Sequence, residues 1–246
     1  SWICCKCGLP NFSTCLFDTF ETTTSNSFSS LSQTTDNLSL LSSPGAPGEP
    51  KATSSPKQPR TRTQNTNRQQ SQNLKVLIVN CCSLPVDDED KNKPRELELM
   101  CESTGADIVI GTESWLDSTI NDSEVFPPNF TAYRKDRNRH GGGVFILVKN
   151  SLISSPSTEL DTNCETLWVK IKLPQNKDLH MGAYYSPQWA KDESLDALKT
   201  SLDKIPKNKS HIWLAGDFNL PDISWETLTA KARAKDLPLI EKLLDI

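Results

Sequence analysis

The stretch His211-Ile212-Trp213-Leu214-Ala215-Gly216-Asp217-Phe218-Asn219 decides the fold of this chain. Its first residues are apolar and read as a buried strand. Gly216 turns the backbone, and a carboxylate and a carboxamide follow two positions apart. Alternation along an extended chain sends residues i and i+2 to the same side. Asp217 and Asn219 are therefore expected to look into one cleft while Phe218 faces the core. A charged acceptor beside a donor-acceptor amide suits the positioning of a water and a phosphate oxygen. The plainer alternative is a strand followed by an Asx turn.

Working outward, residues 74–246 carry the periodicities of a folded domain. Leu74–Val79 and Asp107–Gly111 are β-rich runs, the first ending at Asn80 and the second just before Glu113. Between them Pro94 opens a predicted helix with Leu97, Met100 and Cys101 on one face, closed by Gly105. Phe130–Tyr133, Gly143–Val148, Thr166–Leu173 and His180–Tyr185 are four further strand candidates. Trp168, Lys170 and Lys172 alternate with Val169, Ile171 and Leu173, as in a half-exposed strand. Leu195, Leu198, Leu202 and Ile205 recur at helical spacing, and a last helix bears Leu237, Ile240, Leu243 and Leu244. Strands outnumber helices and several succeed one another directly, which favours packed sheets with outer helices over a doubly wound sheet.

The first 73 residues differ. Residues 1–15 hold Cys4 and Cys7 at the Cys-x-x-Cys spacing of a zinc pair, with Cys15 a candidate third ligand. No second pair follows, so the site is half complete; the alternative is a pair of free thiols. Residues 16–73 are rich in Ser, Thr, Asn, Gln and Pro and are expected to form a disordered linker. Its later part is mildly cationic, which suits either a hold on a polyanion or a solvated tail. The eight cysteines show no disulfide framework and suit a reducing compartment. The net charge of −4 excludes a globally basic nucleic-acid binder, though not a local basic groove. No apolar run approaches the ~20 residues of a spanning helix, so no membrane partner is expected. The absence of an initiator Met suggests an excised or incomplete product.

Polar groups stand at four predicted strand ends: Asn80, Glu113, Tyr185 and the pair Asp217/Asn219. In order, Val79-Asn80, Gly111-Thr112-Glu113-Ser114-Trp115-Leu116, Ala183-Tyr184-Tyr185-Ser186-Pro187 and Gly216-Asp217-Phe218-Asn219-Leu220-Pro221 resemble the successive signatures of the endonuclease/exonuclease/phosphatase superfamily. The likeness is to the endonuclease domains of non-LTR (LINE-type) retrotransposons. Tyr133-Arg134-Lys135-Asp136-Arg137 followed by Gly141-Gly142-Gly143-Val144 fits those elements, and Trp2 with Cys4 and Cys7 resembles the last ligand pair of a PHD-type finger.

The resemblance implies an α/β fold: a four-layered, DNase I-like sandwich of two packed mixed β-sheets flanked by helices, spanning residues 74–246. It implies a phosphodiesterase using Mg2+ or Mn2+, with Zn2+ bound only if the rest of the finger is present. By that likeness Glu113 holds the metal and Asn80 assists it or a phosphate oxygen. Asp217 orients or deprotonates the attacking water, Asn219 fixes it in line, and Tyr185, chosen over Tyr184 because it precedes Ser-Pro, faces the phosphate. Arg134, Arg137 and Arg139 are candidates to touch the DNA backbone; each is equally compatible with an idle surface position. The implied partners are double-stranded DNA and a downstream reverse transcriptase domain, and the implied place of work is the nucleus. The family closes with a late aspartate and a Ser-Asp-His-type motif. None of the three histidines, His140, His180 and His211, follows an aspartate. The resemblance therefore implies a sandwich incomplete at its C-terminus and inactive as this fragment. A same-fold phosphatase or phosphodiesterase with another substrate, and a non-catalytic DNA-binding remnant, are the competing expectations.

Overall fold

The computed structural model describes residues 73–84, 93–174, 177–189, 191–206, 210–231 and 234–246, and the backbone of 12–17. All of them belong to one compact unit, Ser1–Ser29 with Ser71–Ile246. Cys4 and Cys7 lie outside the described residues, as does nearly all of the expected linker.

In chain order the elements are β1 (Phe12–Phe17), β2 (Leu74–Asn80), α1 (Lys93–Thr104), β3 (Ile108–Thr112), α2 (Asp122–Val125), β4 (Phe130–Lys135), β5 (Val144–Lys149) and β6 (Ser154–Pro156). A 3-10 turn at Thr158–Leu160 leads into β7 (Glu165–Leu173), β8 (Lys177–Tyr185), α3 (Lys191–Asp203), β9 (Ser210–Asp217), β10 (Ile223–Ser224), β11 (Thr229–Ala230) and α4 (Leu237–Leu244). One sheet has the order β1-β2-β3-β5-β4, the other β6-β7-β8-β9, and β10-β11 form a small hairpin. Each sheet contains one parallel pair, β2/β3 and β8/β9, the rest being antiparallel. A parallel pair needs a crossover, and α1 and α3 are those crossovers.

Alternation builds the layers. Val76, Ile108, Ile110, Val144, Ile146 and Val148 of the first sheet meet Val169, Ile171, Leu179, Met181, Ala183 and Ala215 of the second in one buried cluster. The opposite face of the first sheet, with Leu77, Val79, Val109, Phe145 and Leu147, is covered by Leu97 and Cys101 of α1 and by Val125 and Phe126. The opposite face of the second, with Trp168 and Tyr184, is covered by Leu195 and Leu198 of α3 and by Leu239 and Leu243 of α4. Helices, sheet, sheet and helices make four layers. Among the described residues no helix is long and apolar enough to cross a membrane.

Three expectations need correction. Trp168 shares a face with Lys170 and Lys172 yet is 1% exposed, because α3 covers that end of β7 and leaves the lysine end open. The His211–Ala215 run is not a buried strand: β9 is the outermost strand of its sheet, and Ile212 is 46% exposed. Finally, the division at residue 15/16 cuts through β1, which pairs antiparallel with β2 from Phe12↔Val79 to Phe17↔Leu74. Its six residues supply a ladder to an edge of β2 that would otherwise be unpaired, a demand local composition does not reveal.

Candidate active site

Two parallel pairs end at the same place. Asn80 closes β2 and Glu113 follows β3; Tyr185 and Asp217 close β8 and β9, in register with each other. Tyr185 Oη donates to Glu113 Oε1 across the sandwich at 2.8 Å, and Asn80 Nδ2 donates to Asp217 Oδ2 at 3.3 Å. The four groups, far apart in sequence, thus meet in one cluster through two inter-sheet hydrogen bonds.

Local backbone geometry aims each of them. Glu113 has φ +53 and Trp115 φ +56, a region costly for residues bearing a Cβ. The surroundings hold that conformation: Ser83 N–H and Leu84 N–H donate to the carbonyls of Glu113 and Ser114, and Ser114 and Trp115 N–H donate to Gly143 and Gly142. Trp115 Nε1 donates to Glu113 Oε2 at 3.2 Å, so both carboxylate oxygens are oriented. The loop after β2 is tied down by Lys93 Nζ, which donates to the carbonyls of Cys81 and Cys82 at 3.1 and 2.6 Å. Asn80 Oδ1 accepts from Cys82 N–H at 3.2 Å, leaving a lone pair for a further partner.

At the end of β9, Asn219 N–H donates to Asp217 Oδ1 at 2.9 Å, with Asn219 at φ +51. This is the Asx turn, and it coexists with the shared cleft. Phe218 packs outward against Tyr184 and Trp225. Asn219 Nδ2 donates to the Ser186 carbonyl at 2.7 Å, so one of its amide protons ties the loop after β8 to the loop after β9.

Strand alternation sends the two tyrosines to opposite faces. Tyr184 is fully buried on the outer face, bonded to Ser194 Oγ at 2.9 Å, whereas Tyr185 is on the inner face with Glu113. Burial, then the bond to and charge of Glu113, push the Tyr185 phenol well above its usual range, with Arg137 opposing. It is a proton donor at any ordinary pH. Burial chiefly, then the Glu113 charge, raises the Asp217 carboxyl, against the stabilising bonds from Asn219 and Asn80.

The three arginines are employed differently. Arg134 points inward: Nη2 donates to the Asp117 and Ile120 carbonyls at 3.1 and 2.8 Å, and its guanidinium pairs with Asp122 and Asp136. It braces the loop before α2 rather than facing a duplex. Arg137 pairs with Glu165 at 2.6 Å and donates through Nε to the Gly141 carbonyl at 2.9 Å. Arg139 is exposed. Trp189, on the loop that leaves Tyr185, is 80% exposed. His180 and His211 stand apart from the cluster. The strand rise sets His180 about 16 Å before Tyr185 and His211 about 20 Å before Asp217, and His140 is exposed in the glycine loop.

Sequence reasoning missed Trp115 and Glu165. Trp115 lies inside a quoted motif, and its positive φ is what turns the indole back onto Glu113. Glu165 had no usable signal, since its place opposite Tyr185 follows from strand register alone.

Oxygen donors from Glu113, Asn80 and Asp217, with the two carboxylates near enough for the Glu113 charge to raise Asp217, fit a hard divalent cation. Among the described residues no cluster of three His, Cys, Asp or Glu side chains is present.

A two-sheet α/β sandwich with this cluster at the aligned ends of its parallel strands defines a phosphate-ester hydrolase. The chain belongs to the Endonuclease/Exonuclease/phosphatase family, whose profile matches residues 63–243. It is similar in fold to the endonuclease domain of TRAS1, a telomere-specific non-LTR retrotransposon, at 17% identity and TM-score 0.50, covering 69% of each chain. Similarity extends to an AP endonuclease from Archaeoglobus fulgidus at 16% identity, TM-score 0.48 and 70% of each chain. A humanized D. rerio TDP2 gives 16% identity and TM-score 0.42, covering 64% of this chain and 67% of that one. No curated protein gives a significant sequence match.

Proposed function

We propose that the chain is a divalent-metal-dependent DNA endonuclease of retrotransposon type, nicking one strand of a duplex to leave a 3′-hydroxyl that primes reverse transcription in the nucleus. The observation that carries the hydrolytic part is the convergence of Asn80, Glu113, Tyr185 and Asp217. DNA as substrate is supported by the fold shared with a retrotransposon endonuclease domain and by the exposed Arg139 and Trp189.

Glu113 and Asn80 would hold a Mg2+ or Mn2+ ion, which would supply charge neutralisation for the phosphate. Asp217, held by two donors and with its carboxyl raised by burial and by the Glu113 charge, takes a proton from the attacking water. The water oxygen bonds to phosphorus, the P–O3′ bond breaks, the phosphate stays on the 5′ end, and the 3′-oxygen picks up a proton. Tyr185, protonated, donates toward the phosphate oxygens once substrate displaces its bond to Glu113. Asn219 fixes the Asp217 turn.

The test is conversion of supercoiled plasmid to nicked circle in Mg2+ or Mn2+, with polymerase extension of the nick and Glu113→Gln as control. Extendable nicks above that control support the proposal. Hydrolysis of a phosphomonoester or phospholipid headgroup without nicking would move the chain to a phosphatase reading.

A further inference from the structure

Arg137 and Glu165 lie just behind Tyr185. Glu165 is directly opposite Tyr185 in the β7/β8 ladder. Its Oε1 accepts from Arg137 Nη1 at 2.6 Å and its Oε2 from Gly143 N–H at 2.7 Å. The guanidinium carbon sits 5.8 Å from the centroid of the Tyr185 ring. The glycine loop is shaped around this pair: a Cβ on Gly142, which has φ +67, would overlap the Arg137 guanidinium and lie 2.5 Å from Glu165 Oε2. Two of the five guanidinium donors, one on Nε and one on Nη1, are thus committed to partners beside Tyr185.

We propose that Arg137 and Glu165 form a positioning pair for Tyr185: the guanidinium, clamped by Glu165 and the Gly141 carbonyl, holds the ring so that the phenol hydroxyl reaches Glu113. The functional consequence rests on the reading that Tyr185 serves the reaction; the positioning itself does not. A phenol at a strand end needs a second contact to keep its ring plane, because rotation about the last side-chain torsion is soft. The planar, fork-shaped guanidinium supplies it, and lysine does not.

The experiment uses the whole 246-residue chain with 3-fluorotyrosine, whose three tyrosines give three fluorine resonances assigned by Tyr→Phe variants. In metal-free buffer, Arg137→Ala, Arg137→Lys and Glu165→Gln are expected to shift and broaden the Tyr185 signal, leaving Tyr133 and Tyr184 in place. Arg139→Ala is expected to leave all three unmoved. An unchanged Tyr185 signal in Arg137→Ala overturns the proposal. Collapse of all three signals in every variant also overturns it, making the pair a determinant of folding instead. Binding of a duplex oligonucleotide against salt, in EDTA, separates the remaining alternative. A phosphate contact lowers the log–log slope by about 0.9 when removed, so such a drop for Arg137→Ala counts against positioning. Where the parent nicks plasmid, kcat is expected to fall about 10–100-fold in Arg137→Ala with KM little changed. If the parent does not nick, the nuclease reading fails while the fluorine spectra still decide the positioning.

Discussion

Replacing Gly216 by alanine tests whether the close approach of β8 and β9 is what sets the position of Asp217. Gly216 pairs with Tyr184 in the parallel ladder and precedes Asp217 at the strand end. Its φ of +144 is open to glycine and strained for any residue with a Cβ. A Cβ there would overlap the Tyr184 carbonyl oxygen and lie 2.8 and 2.9 Å from that residue's carbonyl carbon and amide nitrogen. These are backbone atoms, so no rotamer change relieves them. Strained backbone costs about 1–3 kcal/mol and overpacking about 1–3 kcal/mol more, together roughly 2–6 kcal/mol. At about 2–4 °C per kcal/mol for a domain of this size, thermal unfolding followed by circular dichroism should shift down by roughly 5–20 °C. Gly182→Ala is the control on the same pair of strands. Its Cβ would meet side-chain atoms of Trp168 at 2.6 and 2.7 Å and Leu214 at 2.8 Å, on the face away from the cluster. It should cost stability without altering cation-dependent nicking, whereas Gly216→Ala should abolish nicking even below its melting point. A Gly216→Ala protein that melts within about 2 °C of the parent would refute the argument.

Tyr185→Phe should lower nicking about 10–100-fold with little change in duplex binding, while Tyr184→Phe, which loses its hydroxyl bonds to Ser194 and Ser186 on the outer face, should nick at the parental rate; equal defects would refute the facing assigned here. Asp217→Asn should raise stability in EDTA near neutral pH. The folded carboxyl is raised by burial and by Glu113, so its contribution is fully present below the ordinary aspartate value and is lost as pH climbs through the folded value. The gain from the amide should therefore vanish in acid, as urea titrations at pH 3 and pH 7 would show. Millimolar Mg2+ should raise the melting temperature of the parent and not of Glu113→Gln. Trp189→Ala should weaken binding of single-stranded or nicked DNA by about 1–3 kcal/mol if its face stacks on a base, measured by fluorescence anisotropy.

Most of the framework was legible because its signals are local. Pro94 and Gly105, φ +63, bracket α1, with Leu97 and Cys101 buried as the spacing requires. The apolar runs of β2, β3 and β5 are buried on both faces and read as continuous hydrophobic stretches. What failed was information that resides in neighbours. Trp168 belongs to a lysine-bearing face, and only the position of α3 makes it core. Strand β9 has the composition of a central strand and the exposure of an edge. Arg134 and Arg137 look alike in sequence, yet the partners that occupy them, Asp117, Asp122 and Glu165, come from distant segments or other strands. Charge type identifies a candidate; the distribution of acceptors decides whether it faces solvent.

The location of the site follows from topology more than from any single motif. In each sheet a strand, a crossover helix and a parallel strand bring two carboxyl-terminal ends side by side, Asn80 with Glu113 and Tyr185 with Asp217. Ligands of open α/β sheets gather outside such ends. Here two such ends face each other across one apolar core, so each sheet supplies half of the cluster and the Tyr185–Glu113 and Asn80–Asp217 bonds close it. Neither half holds enough oxygen donors to seat a cation by itself. A one-residue slip of β8 within its own ladder would exchange inner for outer side chains, replacing Tyr185 with Tyr184. Met181 and Ala183, buried between the sheets on the same face of β8 as Tyr185, therefore hold the facing that the chemistry needs.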